Sequence, residues 1–160
     1  MKLIKWFDFG NIFTLSRLLS PIIAILQPFI ILITLGPLQS ISSSWVTPLQ
    51  PLFIITNALT SYFLFELPKW RIPAFCLLTL TAFSFDVYPL LHNILAVLFF
   101  IFVIRGIYSI KKFRHYLPLY LFSVVIGFLY GIFWFEVWAI CVIGLYHLNL
   151  LYYIKFSLNK

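Results

Sequence analysis

Ionisable residues are so scarce in the apolar parts of this chain that each one calls for its own reading. Asp86, His92, Glu136 and His147 are the ones whose types suit chemistry. His92 follows Asp86 by six residues across a turn containing Pro89, and Glu136 arrives at the same membrane face from the next hairpin. Two carboxylates and an imidazole at one face make an oxygen and nitrogen donor set for a metal, or an acid–base group. The sequence therefore offers Asp86, His92, Glu136 and His147 as candidate catalytic residues, and Asp86, His92 and His147 as candidate zinc ligands. The plainer alternative is that such residues cap helices and hydrate the interface. His147 lies near the middle of the last apolar segment, in Gly144-Leu145-Tyr146-His147-Leu148-Asn149. There it either binds a metal, relays protons or contacts a lipid headgroup, or it stays a neutral imidazole bonded to a neighbouring helix through Asn57 or Thr56.

Other arrangements are disfavoured on spacing. A haem clamped by His92 and His147 needs both at nearly one depth, and His92 stands one turn into its segment while His147 stands about three turns into its own. Asp8 and Arg17 are too far apart to meet on one straight helix, so Arg17 is expected to snorkel to the headgroups. His115, beside Arg114 and Lys112, reads as a solvated surface residue. Cys76 and Cys141 fall inside apolar runs and read as packing residues rather than a disulfide. The sequence contains no phosphate-binding glycine loop, CxxC, nucleophile elbow or HExxH. No cofactor is expected apart from the zinc alternative.

The elements that must position these residues follow from composition. Of 160 residues, 63% are hydrophobic and 9% charged, and the charges come in short clusters between long apolar runs, so a bilayer is the solvent for much of the chain. Six segments approach the length of a span, at about 15–36, 46–66, 72–87, 89–110, 117–135 and 137–156. The predicted fold is thus all-α, a single polytopic bundle of about six transmembrane helices. Gly36-Pro37 with Ser40 and Ser42 to Ser44, the pair Pro68 and Pro73, Asp86 to Pro89, and Lys111 to His115 supply the breaks, and the last hairpin is expected to turn near Phe135-Glu136. The first helix reads as uncleaved, because Asp8, Asn11 and Arg17 interrupt any signal-like run.

Lysines and arginines set the orientation. Lys2, Lys5, Lys69, Arg71, Arg105, Lys111, Lys112, Arg114, Lys155 and Lys160 mark alternate ends, whereas the connections at 37–45, 86–89 and 136 carry none. Both termini are therefore expected in the cytoplasm. The net charge of +7 is explained by topology, and nucleic acid is not an expected partner. Trp6, Trp45, Trp70, Trp134 and Trp138 fall near segment ends, as interfacial indoles do. Gly127 and Gly131 form a GxxxG pair expected to mark a helix-packing face.

The run Asp86-Val87-Tyr88-Pro89-Leu90-Leu91-His92-Asn93, with Phe135-Glu136-Val137-Trp138 and Tyr146-His147, resembles the DRAM-like group of six-span membrane proteins. The resemblance covers about the second half of the chain. It implies a six-helix bundle that handles or senses lipid, related in architecture to ceramidase-like membrane hydrolases. Those carry a His-x-x-x-His pair in the last helix, where this chain has His147 flanked at four residues by Ile143 and Leu151. Three function classes follow: an accessory or scaffold subunit packed against a larger membrane complex, a lipid-handling protein or metal-dependent lipid hydrolase, and a small transporter or channel. The first is the leading expectation, with the bilayer and a membrane protein as partners and a bacterial cytoplasmic membrane as the location. A transporter calls for broken helices or a line of polar groups through the bundle.

Overall fold

The computed structural model describes residues 12–158, with side chains described over 17–154. Lys2, Lys5, Trp6, Asp8, Asn11 and Lys160, together with the Lys155 side chain, lie outside the described residues, so the terminal part of the charge pattern is not addressed. The described residues form six α-helices and no strand. These are α1 (Ile12–Leu35), α2 (Gln50–Phe65), α3 (Arg71–Ala82), α4 (Pro89–Tyr108), α5 (Tyr116–Tyr130) and α6 (Ile132–Leu158). Short 3₁₀ turns at Ile41–Val46, Pro68–Trp70 and Lys111–Phe113 link them.

Three described helices are long and apolar enough to cross a membrane: Arg17–Leu35 within α1, Pro89–Tyr108 as α4 and Ile132–Ile154 within α6. The other three are shorter than expected. α2, α3 and α5 have 16, 12 and 15 residues. At 1.5 Å per residue they rise about 24, 18 and 22 Å, against about 30 Å of hydrocarbon. Proline and local capping explain where they begin and stop. Pro51 and Pro89 occupy the first turns of α2 and α4, where a missing N–H costs nothing. α3 ends at Ala82 and the chain turns through 83–88, so the expected segment 72–87 is helical over little more than two-thirds of its length.

The last hairpin turns at Gly131, not at Phe135-Glu136. Gly131 has φ +97°, outside the range other residues readily adopt, and its N–H donates to Gly127 O at the end of α5. Glu136 consequently lies inside α6, one turn past its start.

α5 packs on α6, α2 on α3, α3 on α4, and α1 on both α2 and α6. Helices dissolved in lipid gain little from apolar burial, so close backbone approach and polar contacts decide such packing. The nearest approach is at Gly144 of α6: a Cβ there would lie 2.4 Å from Ile25 Cγ1 and 3.2 Å from Pro21 O of α1. Gly106 plays a similar part, with the Trp70 indole filling the space its side chain would take. The expected packing pair behaves differently. Gly127 abuts Phe135 within its own hairpin, while nothing lies within 4 Å of a Cβ on Gly131, which serves as the cap. Trp70 is likewise buried in the bundle rather than facing an interface.

The outward surface is apolar. Phe128 is 92% exposed and Ile33 85%, which lipid tolerates and water does not. Inside, one apolar cluster surrounds Trp70, Val103 and Tyr146 at the end carrying Lys69, Arg71, Lys111 and Lys112, and a second surrounds Ile31, Phe53 and Phe133 at the other end.

Candidate functional site

The four residues singled out by type are not brought together. Asp86 is exposed, in an open cleft with Trp45, Thr47, Gln50 and Ser84. His92 is buried at the start of α4, where a ring nitrogen, Nδ1, lies 2.7 Å from Phe83 O. A carbonyl can only accept, so Nδ1 carries the proton and caps the end of α3. Glu136 is 7% exposed and its Oε2 accepts from the backbone N–H of Ile41 at 2.5 Å. That bond seats the Ile41–Val46 turn inside the bundle, where Ser42 and Ser44 are buried. His147 is 2% exposed; its Nδ1 donates to Ile143 O one turn back on α6, at 2.8 Å. It bonds neither Asn57 nor Thr56 as expected. Instead its ring stands edge-on to Trp70 and Phe63, with centroids 4.3 and 5.5 Å away. Among the described residues no group of three or more His, Cys, Asp or Glu side chains assembles to hold a metal. The set Asp86, His92 and His147 is thus dispersed, each member engaged with its own turn or cleft.

What the fold does assemble is a row of buried polar side chains along α1, α2 and α6. A cavity of about 40 Å³ is lined by Ser20 and Gln27 of α1, Asn57 and Thr60 of α2, and Gly144 and His147 of α6, among apolar neighbours. A second of about 40 Å³ is lined by Glu136, Ser42 and Asn57. Asn57, Leu77, Phe99 and Ile140 border both, so the two share a wall. A third, of about 370 Å³, is lined by Gln39, Ser40, Ser43, Asn93 and Glu136 with Phe85, Phe100 and Phe135. Glu136 thus stands between the wide cavity and the second narrow one. At the far end Ser20 lies one turn from Arg17, whose Nε donates to Glu66 Oε2 at 2.7 Å and whose second donor reaches Oε1 at 3.2 Å. This ion pair corrects the expectation that Arg17 snorkels to headgroups.

The chain matches no family model, and no curated protein or solved structure is similar to it. Its chemistry must therefore be argued from the polar row itself. Gln27 Nε2, Thr60 Oγ1 and His147 Nε2 are buried with no hydrogen-bond partner among the described residues. Buried polar groups in that condition cost on the order of 1–3 kcal/mol each, and three such atoms face one cavity whose wall is otherwise largely apolar. Sequence reading singled out Glu136 and His147 but passed over Gln27, Thr60, Ser20 and Glu66. The available signal was that polar residues recur at helical spacing: Ser20 and Gln27 on one face of α1, and Asn57 and Thr60 on one face of α2.

Proposed function

We propose that this chain is a multi-pass protein of a cytoplasmic membrane, of the small-transporter or channel class, which moves a water-sized polar species through its interior. The observation that carries this reading is the row of buried polar groups from Glu136 through Asn57 to His147 and Ser20, lining adjoining cavities. Polar side chains inside a bilayer are expensive, and a connected set of them reads first as a pathway. Pro21 and Pro28 inside α1 support it, since each removes a backbone donor beside Ser20 and Gln27. In this reading the wide cavity at Gln39 and Asn93 opens away from the cytoplasm and the Arg17–Glu66 pair stands at the cytoplasmic end. α2, α3 and α5 complete six crossings together with their flanking turns.

The test is purified protein in liposomes, with entry of water, urea, ammonia and protons compared against protein-free vesicles. At least one rate is expected to rise, and Asn57→Leu, which fills the shared wall with an apolar side chain, is expected to return it towards the protein-free value. Rates indistinguishable from protein-free vesicles for all four species would overturn the proposal.

A second reading, an accessory or scaffold subunit of a larger membrane complex, draws on α5. Of its length only Tyr116, Tyr120 and Ser123 are buried, and most of the remainder is exposed, open to lipid or to another protein. A stoichiometric partner recovered after mild detergent extraction supports it. The lipid-hydrolase reading that goes with the DRAM-like resemblance needs Asp86, His92, Glu136 and His147 at one point, and gains no support from their separate surroundings.

A further inference from the structure

We propose that the species moved is the proton, passed between Glu136 and His147 along water held in the two narrow cavities that meet at Asn57; this rests on the transport reading above. Size is the first constraint. A water needs roughly 10–15 Å³ of such space, so each cavity of about 40 Å³ admits more than one water but no hydrated ion or organic solute.

The polarity of the lining is the second. Since Nδ1 of His147 donates to Ile143 O, the neutral ring presents Nε2 as a bare acceptor. Gln27 Nε2 is a donor, and the Thr60 hydroxyl serves either way. Water satisfies all three kinds at once.

Placement of the ionisable groups is the third. Among the described residues, Glu136 and His147 are the only acidic or basic side chains lining the three cavities. Gln27 from α1, Asn57 from α2, Leu77 from α3 and Phe99 from α4 share the His147 cavity, and none carries charge. Around Glu136 the corresponding groups are Ser42 beside α2, Asn57, Leu80 of α3 and Ala96 of α4. Eleven residues separate the two on α6, a rise of about 16 Å, which waters and the Asn57 amide divide into shorter steps.

The transfer balances without any redox partner. A proton from the wide cavity adds to the Glu136 carboxylate, forming an O–H bond, and leaves it for water as that bond breaks. Successive waters hand on one proton each until Nε2 of His147 takes it up. The imidazolium keeps its Nδ1–H on Ile143 O and lies within reach of the Trp70 ring, 4.3 Å between centroids, whose π face favours a cation. Nε2 then releases the proton to water beside Ser20, towards the Arg17–Glu66 end, and the starting tautomer returns.

The experiment loads liposomes containing the protein with a pH-sensitive dye and drives protons inward with a valinomycin-set potassium potential. Wild-type vesicles are expected to acidify faster than protein-free ones, more slowly in heavy water, and the rate is expected to be lost in Glu136→Gln and in His147→Gln. Glu136→Gln keeps an oxygen for the Ile41 N–H, so it preserves the fold while removing the ionisable group; the heavy-water measurement needs no variant. Raised water, urea or ammonia entry without raised proton entry overturns this inference and leaves the transport reading standing. No raised rate for any species overturns both. Proton entry that survives both substitutions also overturns it, because the path then runs elsewhere.

Discussion

Arg17 and Glu66 lie 49 residues apart in sequence and form a pair with both side chains largely out of solvent, at 12% and 15% exposure. Two guanidinium donors meeting two carboxylate oxygens make a planar, directional contact that ties α1 to the end of α2. Sequence marked Arg17 as costly in its segment and supplied no partner, because nothing local indicates which distant turn will stand opposite. The same holds for Glu136: sequence marked it as a candidate site residue at the rim, but neither its burial inside α6 nor its bond to the Ile41 N–H, which spans 95 residues, was legible. Replacing Glu66 by Gln keeps one acceptor oxygen and removes the charge from this contact with Arg17. A loss of about 1–3 kcal/mol is expected, read as a lower melting temperature of the detergent-solubilised protein. Glu66→Gln with an unchanged melting temperature would mean the pair contributes nothing to holding α1 in place.

At the scale of helices, the breaks were legible where proline, glycine or charge punctuates the chain, and helix lengths were not. Pro89 opens α4 and Gly36 closes α1 as their types require. The last hairpin shows why the remainder was missed. Glu136 is the only charged residue between 117 and 154, so polarity pointed to it as the turn, whereas conformation selected Gly131 and left the carboxylate to be satisfied inside α6. GxxxG spacing was similarly outranked by three-dimensional approach, which falls on Gly144. Gly144→Ala is expected to cost about 1–3 kcal/mol, because its methyl group overlaps Ile25 and crowds Pro21 O. Adding Ile25→Ala removes the overlapped side chain and is expected to restore part of that loss, a non-additivity that marks direct contact. Gly127→Ala presses only on Phe135 within its hairpin and is not expected to be rescued by Ile25→Ala. Unfolding titrations of the three single variants and the two doubles check this; equal losses with no rescue would place the α1–α6 contact elsewhere.

For the molecule as a whole, composition led to the expectation of an all-helical membrane chain, since 63% hydrophobic residues exceed what a body of 160 residues can hide, and the described residues are helical with three helices long and apolar enough to cross a membrane. The interior polar row was not announced, because its members come from three helices and no single segment contains enough of them to stand out. Orientation decides what that row does, for it fixes whether Glu136 or the Arg17–Glu66 pair meets the outer compartment. Gln39 and Asp86 are exposed at one end of the bundle and Lys112 at the other. Cys76 is buried and Cys141 partly so, and both are unpaired, so replacing them by Ala gives a background in which single cysteines report their own exposure. In that background Gln39→Cys and Asp86→Cys are expected to react with a membrane-impermeant thiol reagent applied to intact cells, and Lys112→Cys only once the membrane is broken. The opposite pattern would put Glu136 at the cytoplasmic mouth and reverse the order of proton transfer. Labelling of Asp86→Cys and Lys112→Cys from the same side would mean that α4, which joins those two ends and is among the three helices long enough to span, does not cross at all. A pathway through the bundle could not then connect two compartments.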